Sequence, residues 1–164
     1  MIPTLHTDRL TLRAPEAADF PAFAAFHASP RAAAAGLALD ATRAYERLLA
    51  LAGGWSLWGY GGWIVTLDGR PAGHVGLLNL PHRADVELAW ALFDSFEGQG
   101  IAQEAARAAR RFAVDTLGLK RLVSYVANGN ARAAALARRL GCTPEAAPAH
   151  DPEATTWLHP REAA

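Results

Sequence analysis

The residues best placed to do chemistry are Glu97-Gly98-Gln99-Gly100-Ile101-Ala102. Glycine can take positive φ and lets backbone approach a ligand closely. A helix start offers unpaired N–H groups and a partial positive charge. Where the two coincide the turn can cradle an anion, most naturally a phosphate. The competing reading is a tight turn whose glycines serve packing alone. Spacing excludes two familiar phosphate loops: G-x-G-x-x-G would need a glycine at Gln103, and a P-loop would need Lys-Ser/Thr after the glycines.

The elements around the turn must position it. Before it, the apolar run Leu88–Phe93 reads as the body of a buried strand, Val86–Phe93. After it, a helical pattern runs from Ile101 to about Leu117, with Ala102, Ala105, Ala106, Ala109, Phe112 and Ala113 on one face and Gln103, Glu104, Arg107, Arg110 and Arg111 elsewhere. Gly118 suits the helix end. Arg121–Val126 reads as the next strand, and Asn130 is placed to cap a second helix. That helix carries Ala133, Leu136, Ala137 and Leu140 on one side and closes at Gly141.

In that order, these residues resemble the GNAT superfamily of acetyl-CoA-dependent N-acetyltransferases, whose pattern is Gln/Arg-x-x-Gly-x-Gly/Ala at the turn and an Asn-led helix ending in Leu-Gly-Phe. Thr7-Asp8-Arg9-Leu10-Thr11-Leu12-Arg13, Gly61-Gly62-Trp63 and Trp157-Leu158-His159-Pro160 are similar to the RimJ/RimL-type branch. The resemblance covers nearly the whole chain and implies one N-acetyltransferase domain over residues 1–164. Three positions depart from it: Glu97 replaces Gln or Arg, Ala133 stands where Ser is frequent, and Cys142 replaces Phe. A carboxylate at Glu97 would repel phosphates unless it points away.

The resemblance implies that the two strands splay and that acetyl-CoA lies in the gap. Its pantetheine arm would pair with backbone around Ala91 and Leu92. Its pyrophosphate would rest on Gly98, Gln99, Gly100, Ile101, Ala102 and Gln103. Asn130 would hold the pantetheine arm, though as a plain helix cap it needs no ligand. Acetyl transfer to an amine needs a neutral amine, a stabilised oxyanion and a departing thiolate. The Leu92 N–H can serve the oxyanion. Glu87 is the candidate base, because it begins the cofactor strand where the family often has Glu; it reads equally as a solvent-facing strand-edge residue. Asp85 and His82 are the alternatives. The helix after Asn130 lacks the Tyr of many relatives, so no general acid is assigned; a thiol of pKa ~8.5 leaves without much help. The implied function is direct transfer from acetyl-CoA to a primary amine in a ternary complex, the acceptor being a protein N-terminus or a small molecule. The rival is a catalytically lapsed CoA-binding or interaction domain, favoured by Glu97, the missing Tyr and the Pro-rich segment before Thr155.

Composition narrows the field. The 16 basic and 16 acidic residues balance, so no net field favours nucleic acid or a membrane surface. The single cysteine, Cys142, excludes an internal disulfide and fits a reducing cytoplasm; it reads as packing rather than as an acyl carrier. No signal peptide or membrane-spanning run is evident. The 6 histidines are scattered without metal-ligand spacing. Oligomeric state is left open, a homodimer included.

The remaining chain supplies the scaffold. Leu10 and Leu12 alternate with polar residues as a first strand. Asp19 is expected to cap a helix with Phe20, Phe23, Ala24 and His27 on one face, closed by Pro30. Asp40 is expected to cap another, with Tyr45, Leu48, Leu49 and Ala52 inward, stopped by Gly53-Gly54. Trp55, Trp58 and Tyr60 read either as an acceptor-pocket wall or lid or as a glycine-rich strand entry, with Trp63 in the core. Asp68-Gly69 marks a hairpin. Pro144, Pro148 and Pro152 imply a loop with at most a short strand before Thr155–Leu158, and Arg161–Ala164 a frayed end. The fold class is α+β, a mixed twisted sheet with helices on both faces and splayed central parallel strands in a right-handed crossover.

Overall fold

The computed structural model describes residues 1–161. Its elements run β1 (Leu5–His6), β2 (Leu10–Arg13), α1 (Phe20–His27), α2 (Pro30–Ala34), α3 (Ala41–Trp58), β3 (Gly62–Leu67), β4 (Arg70–Leu78), β5 (Glu87–Leu92), α4 (Ile101–Arg111), β6 (Val123–Ala127), α5 (Ala131–Arg139), β7 (Thr143–Glu145) and β8 (Ala154–Leu158). A π turn over Phe112–Thr116 extends α4, and Gly118 ends it at φ 67°. One sheet is ordered β1-β2-β3-β4-β5-β6-β8-β7, antiparallel except between β5 and β6. The expected frayed end lies, beyond Arg161, outside the described residues.

Alternation along the strands gives the sheet two apolar faces. Trp63 and Val65 join Leu10, Leu12 and Leu88 against Ile101, Ala105, Ala109 and Leu136 of α4 and α5. Ile64, with Ala91 and Phe93, faces Phe23, Phe26, Leu48 and Leu51 of α1 and α3. This is the mixed sheet with helices on both faces that the sequence implied.

β5 and β6 share a single register pair, Glu87 with Val123. The Val123 N–H donates to the Val86 carbonyl at 3.1 Å. Past that point the strands part, and a side chain replaces the ladder: the Ser124 hydroxyl donates to the Leu88 carbonyl at 2.5 Å. Having spent its proton, Ser124 accepts from His159 Nε2 at 2.8 Å. His159 Nδ1 therefore accepts from the Cys142 thiol at 3.3 Å. Burial pushes the His159 pKa down to about 3 and the Cys142 thiol up to about 11, so both stay neutral and the chain of bonds keeps one direction. Cys142 is buried packing that also pins the root of the gap.

Several local expectations are corrected. Pro30 opens α2 instead of closing α1, since its fixed φ suits a first helical position, and Ser29 caps α2 by accepting from the Ala32 N–H. Asp19 makes no cap bond; it is 1% exposed and receives Arg13 at 2.7 Å. Gly53-Gly54 do not stop α3, because glycine costs a helix about 1 kcal/mol without breaking it. The helix runs to Trp58 and ends at Gly59, φ 76°. Its buried face is Ala44, Leu48 and Leu51, whereas Tyr45 and Leu49 are half exposed; Tyr45 rests edge-on against Phe20, centroids 5.3 Å apart. Arg110, which falls off the apolar face of α4, is nonetheless buried, and the Leu140 carbonyl accepts from its Nη1 at 2.6 Å. Arg121 precedes its strand and binds Asp85 and Glu145 instead.

Candidate active site

The glycine turn is built almost wholly from backbone. Ser95, Gly98 and Gly100 sit at φ 78°, 73° and 76°. A Cβ on Gly98 would meet nothing within 4 Å, so the turn presents bare backbone to solvent. Gly100 is the N-cap of α4 and, among the described residues, no side chain caps that helix, which leaves first-turn N–H groups of Ile101, Ala102 and Gln103 for an outside acceptor. The opening segment braces the turn from below. Arg9 donates through Nη1 to the Gln99 carbonyl at 2.9 Å and through Nε to Glu104 at 2.8 Å. Thr7 donates to Glu104 at 2.5 Å. Burial opposes ionisation of Glu104, but the bonds from Thr7 and Arg9 outweigh it and hold the carboxyl below its usual range. Gln99 Nε2 reaches the Ser95 carbonyl, and Gln103 Nε2 reaches the Arg139 carbonyl of α5.

Glu97 is neither bare nor turned to solvent. It forms ion pairs with Arg31 of α2 and Arg132 of α5. Arg31 also meets Asp94 at 3.1 Å and donates to the Leu92 carbonyl. The departing carboxylate is thus compensated on both sides, and it ties the turn to two helices.

Beside the turn, the parted strands open a cavity of about 400 Å³. The direction of each β5 peptide follows from alternation. Phe93 N–H binds the Ala72 carbonyl of the β4 side, whereas the carbonyls of Val86 and Leu88 are used from the β6 side. Even-numbered residues therefore face the gap, and Trp90 and Leu92 carry its free edge. Ala91 corrects the expectation: its backbone faces β4, where it pairs with His74, and only its small side chain borders the cavity. Asn130 caps α5 by accepting from the Ala133 N–H at 3.1 Å and also borders the cavity.

The three candidate bases are separated. Glu87 lines this cavity, is 7% exposed and is ion-paired with Arg83; it is no solvent-facing edge residue. Asp85 and His82 line a neighbouring hollow, and Asp85 is held by Arg121 at 2.9 Å. Tyr125 and His150 border both spaces, packed edge to face with centroids 4.7 Å apart.

The rest of the cavity wall was not anticipated. His27, Arg47, His74, Arg83 and the segment 35–39 line it. His27 Nδ1 binds the Leu37 carbonyl at 2.6 Å and holds that segment in place. Among the described residues, six buried side-chain N or O atoms lack a hydrogen-bond partner, and five line this cavity: His27 Nε2, both ring nitrogens of His74, Arg83 Nε and Glu87 Oε2. Glu87 Oε2 meets Arg83 as a charge without hydrogen-bond alignment. Burial lowers the pKa of His27 and takes His74 down to about 3, with Arg47 adding to both, so both rings are neutral at pH 7. The signals were in the sequence: Arg47 falls on the inward stripe of α3, and His74 interrupts an apolar strand. By contrast Trp55, Trp58 and Tyr60 do not border the cavity. Trp55 packs on Trp63 at 4.7 Å and donates to the Gly62 carbonyl, a structural role.

Relatives place this arrangement. The family model described as an acetyltransferase (GNAT) domain matches residues 9–143. An acetyltransferase from Agrobacterium tumefaciens is 39% identical, covers 98% of this chain and 95% of its own, and superposes with a TM-score of 0.93. A putative GNAT-family acetyltransferase from Bordetella pertussis is 27% identical over 96% of this chain and 98% of its own, TM-score 0.80. RimL, the ribosomal L7/L12 α-N-protein acetyltransferase solved with coenzyme A, shares the fold at 18% identity, covering 95% and 96%, TM-score 0.75. With that family model matched over most of its length and a relative 39% identical along nearly all of it, the chain belongs to the GNAT acetyltransferase family.

Proposed function

We propose that the protein transfers the acetyl group of acetyl-CoA directly to a primary amine within a ternary complex. The observation that carries this is the gap between β5 and β6, where a free strand edge, an uncapped helix start and a cavity with unsatisfied polar atoms adjoin. Buried polar atoms are satisfied in folded proteins as a rule; a cluster of exceptions in one concavity supports a polar occupant. The bare turn at Gly98 and Gly100, with Gln99, Ile101, Ala102 and Gln103, fits a pyrophosphate. The edge at Trp90 and Leu92 fits the amides of a pantetheine arm, with Asn130 adding side-chain hydrogen bonds.

In this reading the Leu92 N–H stabilises the oxyanion as it forms, and Glu87 accepts the amine proton, directly or through water. Its position in the cavity wall, buried beside Arg83, supports that role. The amine attacks the thioester carbonyl, the carbon–sulfur bond breaks, and coenzyme A leaves as thiolate. The RimJ/RimL likeness supports a protein N-terminus as acceptor; a small-molecule amine is equally compatible. The protein acts in the cytoplasm without nucleic acid or membrane. Among the described residues no helix is long and apolar enough to cross a membrane.

The test is ligand-induced stabilisation together with turnover. A ligand that binds only the native state adds RT ln(1 + [L]/Kd), about 2.7 kcal/mol at a hundredfold excess. Acetyl-CoA should raise the melting temperature while adenosine leaves it nearly unchanged, and an amine and peptide screen should release free thiol. Stabilisation without thiol release would favour the lapsed, CoA-binding domain. No stabilisation at millimolar acetyl-CoA would overturn both readings.

A further inference from the structure

The cavity's charges balance in number but not in place: Arg47 and Arg83 share its wall with Glu87 and Asp151. Arg83 is matched by Glu87 and also feels Asp151, but Arg47 makes no ion pair and no hydrogen bond among the described residues while bordering the same space. It is half buried, on the inward stripe of α3 with Ala44, Leu48 and Leu51. A guanidinium removed from water needs an anion or several acceptors. The groups near it cannot supply one: His27 and His74 are neutral rings, and Arg83 is a second cation. The unspent atoms sort into two sets, with the neutral His74 ring contributing one nitrogen to each. Arg47 and Arg83 Nε can only donate, whereas Glu87 Oε2 and His27 Nε2 can only accept, the latter because Nδ1 donates to Leu37. One end of the occupant must offer an acceptor and the other a donor.

We infer that the acceptor amine also carries a carboxylate, held by Arg47 with Arg83 Nε while its amine lies toward Glu87. This rests on the transferase reading above and names its substrate class. A guanidinium meets a carboxylate through paired N–H donors, and burial of the site strengthens the pair by excluding water. Such an acceptor would supply the counter-charge that Arg47 lacks. A free amino acid and a peptide N-terminus followed by an acidic residue share this chemistry.

The experiment pairs each acid with its amide. L-serine is set against L-serinamide, and the dipeptide amide Ser-Asp against Ser-Asn, with thiol release from acetyl-CoA compared at equal concentrations of neutral amine. The acid of at least one pair should be preferred by about 10- to 100-fold in kcat/KM, the range of a charge-assisted hydrogen bond. Preference in the first pair identifies the amino acid, in the second the peptide. Arg47→Met should collapse the preference, Arg47→Lys should restore part of it, and Arg47→Glu should reverse it; each variant must keep its stabilisation by acetyl-CoA as the check on folding. Amides that match or beat the acids in both pairs, or a preference that survives Arg47→Met, would overturn the inference. Calorimetry of the same amines in the presence of coenzyme A separates this from failure of the transferase reading. If no amine releases thiol, acids that still bind better than amides through Arg47 would leave the anion site standing, and equal binding would remove it.

Discussion

The glycine turn and the cavity beside it are built on opposite principles. The turn is one contiguous run in which backbone does the work and every nearby charge is answered: Glu97 by Arg31 and Arg132, Glu104 by Arg9. The cavity is assembled from α1, the segment 35–39, α3, β4, β5 and β6 among others, and five of its buried side-chain atoms are left without hydrogen-bond partners. A constant ligand suits the first design, because backbone N–H groups recognise phosphate whatever the local side chains. An acceptor that differs from one relative to the next suits the second, because each wall residue can change without disturbing the sheet.

That contrast is tested most severely at Glu87. On the proposed mechanism, Glu87→Gln should lower kcat/KM by ~10²–10⁴ at neutral pH, the range for losing a general base. The loss should shrink at high pH, where more of the amine is already neutral. Stabilisation by acetyl-CoA should not change, since this side belongs to the acceptor. The fold should lose about 1–2 kcal/mol, more than a surface exchange, because the buried Arg83 loses its counter-charge. A pH–rate profile of parent and variant reads the first effect and a denaturant titration the second. Equal rates at neutral pH would clear Glu87 of proton transfer and leave it as the anchor of Arg83.

Gly100→Val reaches the other region. Gly100 holds φ 76°, and a Cβ there would meet only the Arg9 side chain, at 3.4 Å. The cost is backbone strain, on the order of 1–3 kcal/mol for a left-handed non-glycine residue, with a side chain now projecting from the bare turn. Stabilisation by acetyl-CoA should vanish while the variant stays folded. A variant that responds to acetyl-CoA as the parent does would move the phosphate cradle elsewhere.

The same contrast explains what the sequence disclosed. The turn, its strand and both following helices were legible because glycines, the Asn130 cap and apolar periodicity are local signals, and the structure follows them closely from Glu87 to Arg139. Trp63, the Asp68-Gly69 hairpin and the first strand were legible for the same reason. The cavity wall was not. Arg47 and His74 lie 27 residues apart in number and meet only because α3 crosses the face of β4. Gly53-Gly54 and Pro30 misled because tertiary packing overrides propensity: Leu51 and Trp55, on either side of the glycines, are anchored in different cores. The Thr7-Asp8-Arg9 opening could be recognised by likeness alone; its reason, a brace under Gln99 and Glu104, exists only in three dimensions.

The smallest effect probes whether the turn's charges are answered for stability or for the ligand. Glu97→Gln removes the carboxylate that Arg31 and Arg132 share. Arg31 keeps Asp94 and the Leu92 carbonyl, so it should stay in place. Arg132 is 71% exposed and has no second anchor among the described residues, so it becomes free to meet a phosphate, and the like charge is gone as well. An exposed pair is worth about 0.2–1 kcal/mol, which makes the expected gain in acetyl-CoA affinity at most roughly fivefold by the usual conversion. The gain should grow at low salt, where screening lengths are longer. Calorimetry at two ionic strengths measures it. Weaker binding in the variant would reverse the argument: Glu97 would then hold Arg132 over the turn, and the family's Gln or Arg would have been replaced by an acidic residue that recruits its positive charge from the neighbouring helix.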